Sequence, residues 1–355
     1  MQDLNILITG GLGYLGGRVA DSLKRNFPDT TIILGTRRKS RDVPDWAESF
    51  QTIHLDICDP LSIEKAVVGT DTVIHLAALN EHESIKDIEA AWKTNALGTQ
   101  ALLSAANRKG VQRFVYFSTF HVYGDYRETI TENSPARPHH PYAATHRAAE
   151  DMIRFYQYYK NMDTLILRLS NGFGYPMDSG INRWTLVFND LCRQAVTSGK
   201  MIVKSSGKQH RDFISLHDVA ATVDYFLFKN SGKWGDGIFN LGGDCSLSIS
   251  EVAKTIAAWL AIPNEQASQN EFVQLSGFLQ HRDAQLLKAQ HHISDNLDVS
   301  HSLQSLAKQA CMSERTLIRR FKQHTSMTPF EYVRLARLVR TKQLLHGTNL
   351  SVEQI

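Results

Sequence analysis

The sequence predicts an α/β protein: a doubly wound parallel sheet, a small incomplete second lobe, and an all-α tail. Three observations carry that expectation. A short apolar run, Leu4–Thr9, leads straight into glycines and then into a helix-forming stretch. Further apolar runs at Thr31–Thr36, Thr52–Asp56, Thr72–Ala77 and Phe114–Ser118 alternate with helical segments, the spacing of right-handed crossovers between parallel strands. After about Leu260 the chain turns polar and turn-forming, "AIPNEQASQN", and then shows helical periodicity alone.

The opening "LNILITGGLGYLGGRVADSL" reads as a buried strand, a tight loop and a helix beginning near Tyr14. Gly10, Gly13 and Gly16 fit G-x-x-G-x-x-G. Gly10 permits the turn, Gly13 lets backbone N–H groups approach a pyrophosphate, and Gly16 allows close helix–strand contact beside the partly positive helix N-terminus. The motif is weak by itself and gains weight from its place between a strand and a helix. The sheet is therefore expected to be Rossmann-like.

Length and composition narrow the class. A chain of 355 residues has room for two or three domains. It contains no run of about 18 uninterrupted apolar residues, which argues against a membrane span. The N-terminus lacks the basic, apolar and small-residue order of a secretory signal, so a cytoplasmic protein is expected. Cys58, Cys192, Cys245 and Cys311 show no metal-ligand spacing and are read as reduced packing residues; no metal site is expected. The net charge of +3 is uneven: from Asn296 onward nine Lys/Arg stand against four Asp/Glu, which points to a polyanionic partner for the tail.

Residues 1–262 resemble the extended short-chain dehydrogenase/reductase family, the sugar-nucleotide epimerases and dehydratases. "TGGLGYLGG" is similar to its cofactor loop, which implies cofactor contacts from Gly10, Gly13, Tyr14, Leu15 and Gly16. "LDICDP" resembles the acidic turn beside the adenine, with Asp56 and Ile57. "VIHLAA" resembles the strand whose Ala77 and Ala78 lie along the cofactor, and "NALGTQALLSAA" carries the matching Asn95. "FVYFSTFHVYG" is similar to the segment with the active-site hydroxyl, here Thr119. Asn171 and Arg211 fall where the resemblance implies contact with a nucleotide-sugar substrate, Arg211 at its diphosphate. Oligomeric state stays open, although the helices after the fourth and fifth strands often pair into a homodimer in this family.

Cofactor choice is argued from the residues themselves. An acidic side chain at the end of the second strand would bind both ribose hydroxyls and repel a 2′-phosphate. The sequence there is "LGTRRKS", and Arg37 and Arg38 favour NADP, with NAD the alternative.

"PYAATHRAAED" resembles the family's Tyr-x-x-x-Lys helix, in which the tyrosine is general acid/base and the lysine binds the ribose. That implies a catalytic Tyr142, with Thr119 donating to the reacting oxygen. An unperturbed tyrosine, with a pKa of ~10, is mostly protonated at neutral pH, so the role needs a shifted phenol. The lysine is absent and His146 stands in its place, shorter and with fewer donors. Arg147 is no replacement, because one helical step turns a side chain by about 100°. His121, His139 and His140 are read as loop residues.

In the tail, Leu303, Leu306, Ala307 and Ala310 have helical spacing, Cys311–Ser313 form a turn with Ser313 as N-cap, and a basic helix follows. Helix, tight turn and basic helix make a helix-turn-helix pattern. Residues from about Asn296 to Ile355 resemble the C-terminal domain of AraC/XylS-type transcription regulators. The resemblance places Arg315, Thr316, Arg319 and Arg320 on a DNA-reading helix and Pro329 at the start of a linker helix. That domain pairs two such units, and the sequence stops at "LSVEQI", inside the second; a frayed end around Val352 and Ile355 is expected.

The resulting partition is a dinucleotide-binding domain over 1–170, a partial substrate domain over 171–262, a linker and lead-in helix over 263–295, and the DNA-binding domain over 296–355. Three functions remain open: an NAD(P)-dependent oxidoreductase acting on a nucleotide sugar, a ligand-sensing transcription regulator, and a fusion in which neither activity is complete.

Overall fold

The computed structural model describes residues 4–125, 129–178, 180–230, 234–260, 283–297, 299, 301–325, 327–333 and 336. The chain divides into two compact units, residues 1–189 with 209–248, and residues 190–208 with 249–355.

The first unit holds the doubly wound sheet. Its elements run β1 (Asn5–Thr9), α1 (Gly16–Asn26), β2 (Thr31–Thr36), β3 (Gln51–His54), α2 (Pro60–Ala66), β4 (Thr72–His75), α3 (Glu81–Lys86), α4 (Ile88–Ala91), a π-helical stretch (Trp92–Gly98), α5 (Thr99–Arg108), β5 (Arg113–Thr119), α6 (Pro141–Lys160) and β6 (Asp163–Leu169). β7 (Asn171–Phe173), the start of α7 (Val187–Ser198), β8 (His210–Ser215), α8 (Leu216–Asp224), β9 (Ile238–Leu241) and β10 (Ser246–Ser248) complete it. Seven parallel strands lie in the order β3-β2-β1-β4-β5-β6-β9. β10-β8-β7 form a second, three-stranded sheet.

Strand periodicity explains the layers. Ile6 and Ile8 enter one apolar cluster with Val19 and Leu23 of α1 and Val219 and Val223 of α8. Leu7, pointing the other way, joins Leu102 and Leu103 of α5 and Ala149 and Ile153 of α6. Burial on both faces is why these strands read as continuous apolar runs. Strand order reverses between β1 and β4, and a crevice opens beyond the C-terminal ends of the strands at such a point.

In the second unit, α9 (Ile249–Leu260), α10 (Ala284–Asp295), α11 (Leu303–Gln309) and α12 (Glu314–Thr325) are the helices of printed extent, with a further helical turn over 329–333. Leu286 and Ile293 of α10, Leu306 of α11, Leu317 and Phe321 of α12 and Tyr332 share one core. Ser302 and Ser305 cap α11 reciprocally. The turn passes through Cys311 at φ 52°, and Ser313 Oγ accepts the Thr316 N–H at 3.3 Å, so the expected cap is present. The helical turn opens at Pro329, where Thr328 and Glu331 exchange hydrogen bonds. The expected second helix-turn-helix unit, with Val352 and Ile355, lies outside the described residues, as does most of the expected linker.

Candidate active site

The crevice is a cavity of about 1070 Å³ lined entirely by the first unit. Gly10, at φ +67°, turns the chain out of β1, and any side chain on Gly16 would collide with the Gly10 carbonyl. The Gly13 N–H closes the loop on that same carbonyl at 2.8 Å. α1 starts at Gly16 with no side-chain cap, its Gly17 N–H reaching back to the Gly13 carbonyl at 3.4 Å, and its partly positive N-terminal end lies at the cavity. His75 braces the floor: its ring nitrogens meet Thr9 Oγ1 at 2.6 Å and Thr99 Oγ1 at 2.9 Å. Thr9 Oγ1 in turn accepts the N–H groups of Leu76 and Ala77, tying the ends of β1 and β4 together.

The structure brings most of the expected residues to this one cavity. Gly10, Gly13, Tyr14, Leu15, Gly16, Arg37, Arg38, Asp56, Ile57, Ala77, Ala78, Thr119, Tyr142, Asn171 and Arg211 all line it. Two others stand behind the wall. Asn95 is buried and spends its amide on the Leu79 backbone and Thr145 Oγ1. His146 is buried beneath Tyr142, the two ring centroids 4.5 Å apart and the planes at 70°.

Several lining groups already have partners. Tyr14 donates its hydroxyl to the Gly174 carbonyl at 2.8 Å and accepts from Asn189 at 2.9 Å; burial pushes its phenol up to about 12. Arg38 pairs with Asp178 at 2.6 Å, whereas Arg37 is exposed. Asn171 donates to the Asp212 carbonyl at 2.8 Å and accepts from Arg211 at 3.5 Å.

The chemical end is built by β5 and the first turn of α6. Thr119 hydrogen-bonds to the Tyr142 phenol, and Thr119 Oγ1 also accepts the His121 N–H at 3.2 Å. Burial pushes the Tyr142 phenol above the ordinary tyrosine range; the Arg183 guanidinium and the Thr119 hydroxyl offset that shift in part. Tyr142 therefore keeps its proton at neutral pH. Burial also takes the His146 imidazole down to about 3, so it is neutral and supplies no cation to the phenol. Its Nδ1 lies 2.6 Å from Tyr116 Oη, and among the described residues its Nε2 has no hydrogen-bond partner.

Sequence reasoning missed several residues here. His121 and Glu81 line the cavity beside Tyr142, with Nε2 and Oε2 3.9 Å apart. His140 is the N-cap of α6, its Nδ1 accepting the Ala143 N–H at 3.3 Å. Glu81, His121 and His140 each offer a ligand atom within 4.8 Å of the others. The capping bond places the His140 proton on Nε2, which makes that nitrogen a donor and not a lone pair for a metal. Glu150 and Arg168 form a buried ion pair at 2.7 Å that also takes the Ser118 hydroxyl at 2.6 Å, fixing α6 against β5 and β6. None of these pairs has a local sequence signal, because each joins residues from separate elements.

Comparisons with known proteins identify the family. The model of the NAD dependent epimerase/dehydratase family matches residues 6–242. The chain belongs to that family. A helix-turn-helix domain model also matches residues 306–355, in keeping with the AraC-type resemblance of the tail. Among relatives of this epimerase/dehydratase family member, mouse (Mus musculus) dTDP-D-glucose 4,6-dehydratase is 28% identical over 292 residues, 78% of this chain and 79% of the relative. The Streptomyces niveus dTDP-glucose 4,6-dehydratase is 29% identical over 269 residues, 71% and 76% of the two chains. The structure of MoeE5 in complex with UDP-glucuronic acid and NAD has a TM-score of 0.62 at 26% identity, covering 71% of this chain and 81% of that one. DesIV, the dTDP-glucose 4,6-dehydratase of Streptomyces venezuelae, with NAD bound, gives 0.63 at 25% identity over 73% and 82%.

On α12, Arg315 and Arg319 are exposed one helical turn apart, with Thr316 partly buried beside them. Arg320 is engaged elsewhere, with Asp283 at 3.0 Å and Gln285 at 3.2 Å. No helix among the described residues is long and apolar enough to cross a membrane.

Proposed function

We propose that this family member is a nicotinamide-dinucleotide-dependent oxidoreductase acting on a nucleotide-activated sugar. The observation that carries the reading is the convergence of Thr119 and Tyr142 on the cavity whose other end is the glycine loop. The loop fits a dinucleotide: Gly10 and Gly16 leave a cradle that a Cβ would fill, and α1 begins there without a side-chain cap, its N-terminus partly positive. Named relatives act on dTDP-glucose, and MoeE5 binds a UDP-sugar acid with NAD, which supports the substrate class. Asn171 and Arg211, in mutual contact on the cavity wall, would hold the substrate, Arg211 at its diphosphate.

The bound nicotinamide would supply the hydride acceptor. Tyr142 exchanges the proton of the reacting hydroxyl, and Thr119 donates a hydrogen bond to the same oxygen. We take NAD as the cofactor. The argument for NADP needs two free guanidinium groups, and Arg38 is paired with Asp178, which leaves Arg37 alone for a 2′-phosphate.

The test is nucleotide-sugar oxidation followed by nicotinamide absorbance, with Tyr142→Phe as the control. That substitution should lower kcat by about 10²–10⁴ with cofactor binding intact, the usual weight of a general acid/base. Undiminished turnover in Tyr142→Phe refutes the assignment.

A second reading concerns the tail. The exposed pair Arg315 and Arg319 on α12 supports DNA binding by the helix-turn-helix, with Arg320 holding α12 to Asp283. Binding that shows no preference over random DNA in a mobility shift at stated salt reduces this to nonspecific charge. A homodimer belongs to the same proposal. Ile88 (54% exposed), Trp92 (43%) and Tyr159 (76%) stand in solvent on α4, the π-helical stretch and α6, which adjoin one another.

A further inference from the structure

Among the described residues four arginines line the cavity, and three of them are already accounted for. Arg38 is paired with Asp178, Arg37 stands exposed beside it after β2, and Arg211 on β8 contacts Asn171 Oδ1 at 3.5 Å. The fourth is Arg183, in the segment before α7. Its backbone is pinned: the carbonyl accepts the Leu186 N–H at 3.2 Å and the Asn189 amide at 3.4 Å. The side chain is partly buried, with Cζ 6.0 Å from the centroid of the Tyr14 ring, and its guanidinium has no hydrogen bond or ion pair among the described residues.

Arg183 and Arg211 act on different groups. Burial pushes the Tyr142 phenol up, and the strongest influence against that push is the Arg183 charge, which also acts on Tyr14. The His121 ring is pushed down by burial first, and the cation that adds to this is Arg211. Arg183 thus belongs to the reacting end of the cavity. The carboxylates lining it, among the described residues, are Asp56 and Glu81. Asp56 takes the Cys58 N–H at 2.9 Å, and Glu81 lies 3.9 Å from His121 Nε2. Neither pairs with Arg183, so a fixed positive charge stands near the phenol without a counter-charge. Water serves a guanidinium in an open cavity. A bound substrate expels that water, and the cation then needs a partner or weakens binding. The hydroxyls of a neutral sugar accept hydrogen bonds but leave the charge unmatched. A carboxylate matches the charge and the planar fork together.

We propose that Arg183 reads a carboxylate on the sugar, so that the preferred substrate is a nucleotide-activated sugar acid and not a neutral hexose. This rests on the reading of the cavity as a nucleotide-sugar site and sharpens it. The diphosphate supplies the anion for Arg211, and the acid supplies the further one that Arg183 lacks. Selectivity follows from the difference: a neutral sugar strands the guanidinium in a site emptied of water, whereas the acid pairs with it.

The experiment is isothermal titration calorimetry of the full chain in the presence of NAD. UDP-glucuronic acid is set against UDP-glucose, and dTDP-glucuronic acid against dTDP-glucose, so that the base does not decide the outcome. In at least one pair the wild type should bind the acid roughly tenfold or more tightly, the weight of hydrogen bonds to a charged partner. Equal affinities in both pairs, or a preference for the neutral sugar, overturn the proposal without any variant. Arg183→Gln should bring the ratio of acid to neutral sugar close to one, and Arg183→Lys, which keeps the charge without the fork, should restore only part of it. An Arg183→Gln protein that weakens both sugars by the same factor assigns Arg183 to the diphosphate and overturns its role as carboxylate reader. Arg211→Gln should weaken both sugars alike and keep the ratio. A ratio lost in Arg211→Gln and kept in Arg183→Gln gives the carboxylate to the other arginine, which also overturns the proposal. Nucleotide sugars bound without discrimination sink the Arg183 inference alone. No binding of any of the four sinks the nucleotide-sugar reading and this inference together.

Discussion

The two ends of the cavity are built on different principles. At the cofactor end the determinants are backbone: a left-handed Gly10, a Gly16 with no room for a side chain, and a helix start without a cap. At the chemical end they are side chains whose protons are set by burial: a Tyr142 phenol pushed up, and a His146 imidazole pushed down to about 3 with its Nδ1 2.6 Å from Tyr116 Oη. Backbone determinants tolerate almost no substitution, because no rotamer relieves a collision with a carbonyl. Side-chain determinants are graded, and a change at one of them shifts a pKa or a tautomer while leaving the cavity intact. The comparison teaches that the glycine-loop end depends on backbone shape, whereas the chemical end depends on the protonation of buried side chains.

The largest expected effect tests the backbone end. Gly16→Ala puts a Cβ against the Gly10 carbonyl, so the loop must open or α1 must shift. We expect dinucleotide affinity to fall by about a hundredfold or more, since backbone donors at the helix start lose their aim. Fluorescence titration measures it, with circular dichroism to show that the fold persists. An affinity within threefold of wild type would mean that the loop does not hold the pyrophosphate.

How legible each end was in the sequence follows from the same contrast. Gly10, Gly13 and Gly16 are three local positions flanked by a strand and a helix, and the apolar runs of β1, β2, β4 and β5 reflect burial on both faces, so fold and cofactor end are written in short range. The placement of Tyr142 and Thr119 on the cavity was legible through the segments that carry them. Tyr116–His146, Glu150–Arg168 and His121–Glu81 were not, because each pair joins two elements and exists only once the sheet and helices are assembled. The same holds for Arg38 and Arg320. Their sequence neighbours mark them as free cations, whereas Asp178 and Asp283, distant in the chain, neutralise them.

The chemical end is tested by restoring the charge. In the oxidative direction the sugar hydroxyl must lose its proton to a tyrosinate, so the rate is carried by the deprotonated phenol and rises with pH toward the pKa of Tyr142. Burial sets that pKa above the tyrosine norm, and a neutral His146 does nothing to lower it. His146→Lys places a cation next to the phenol, which favours the charged form and lowers its pKa by about 1–3 units. The ascending limb of kcat against pH should therefore move to lower pH by at least about one unit. A profile that does not move means that the ionisation of Tyr142 does not limit turnover.

The smallest effect lies at the cofactor end, in the one place where a side chain and not the backbone makes the choice. Arg38 and Asp178 are 2.6 Å apart, Arg38 partly exposed and Asp178 largely buried, so the carboxylate holds the guanidinium away from any 2′-phosphate and would also repel that phosphate. Asp178→Asn removes the charge and keeps the shape. Arg38 then joins Arg37 as a free cation at the end of β2, and NADP should gain on NAD by roughly three- to tenfold, the scale of one partly exposed charge contact. NAD affinity itself should change little, because the pyrophosphate grip of Gly10 to Gly16 is untouched. Parallel titrations with the two dinucleotides read the ratio directly. A ratio that stays at the wild-type value would show that Arg38 does not face the adenosine ribose, and the preference would then rest on Arg37 and the residues after β3.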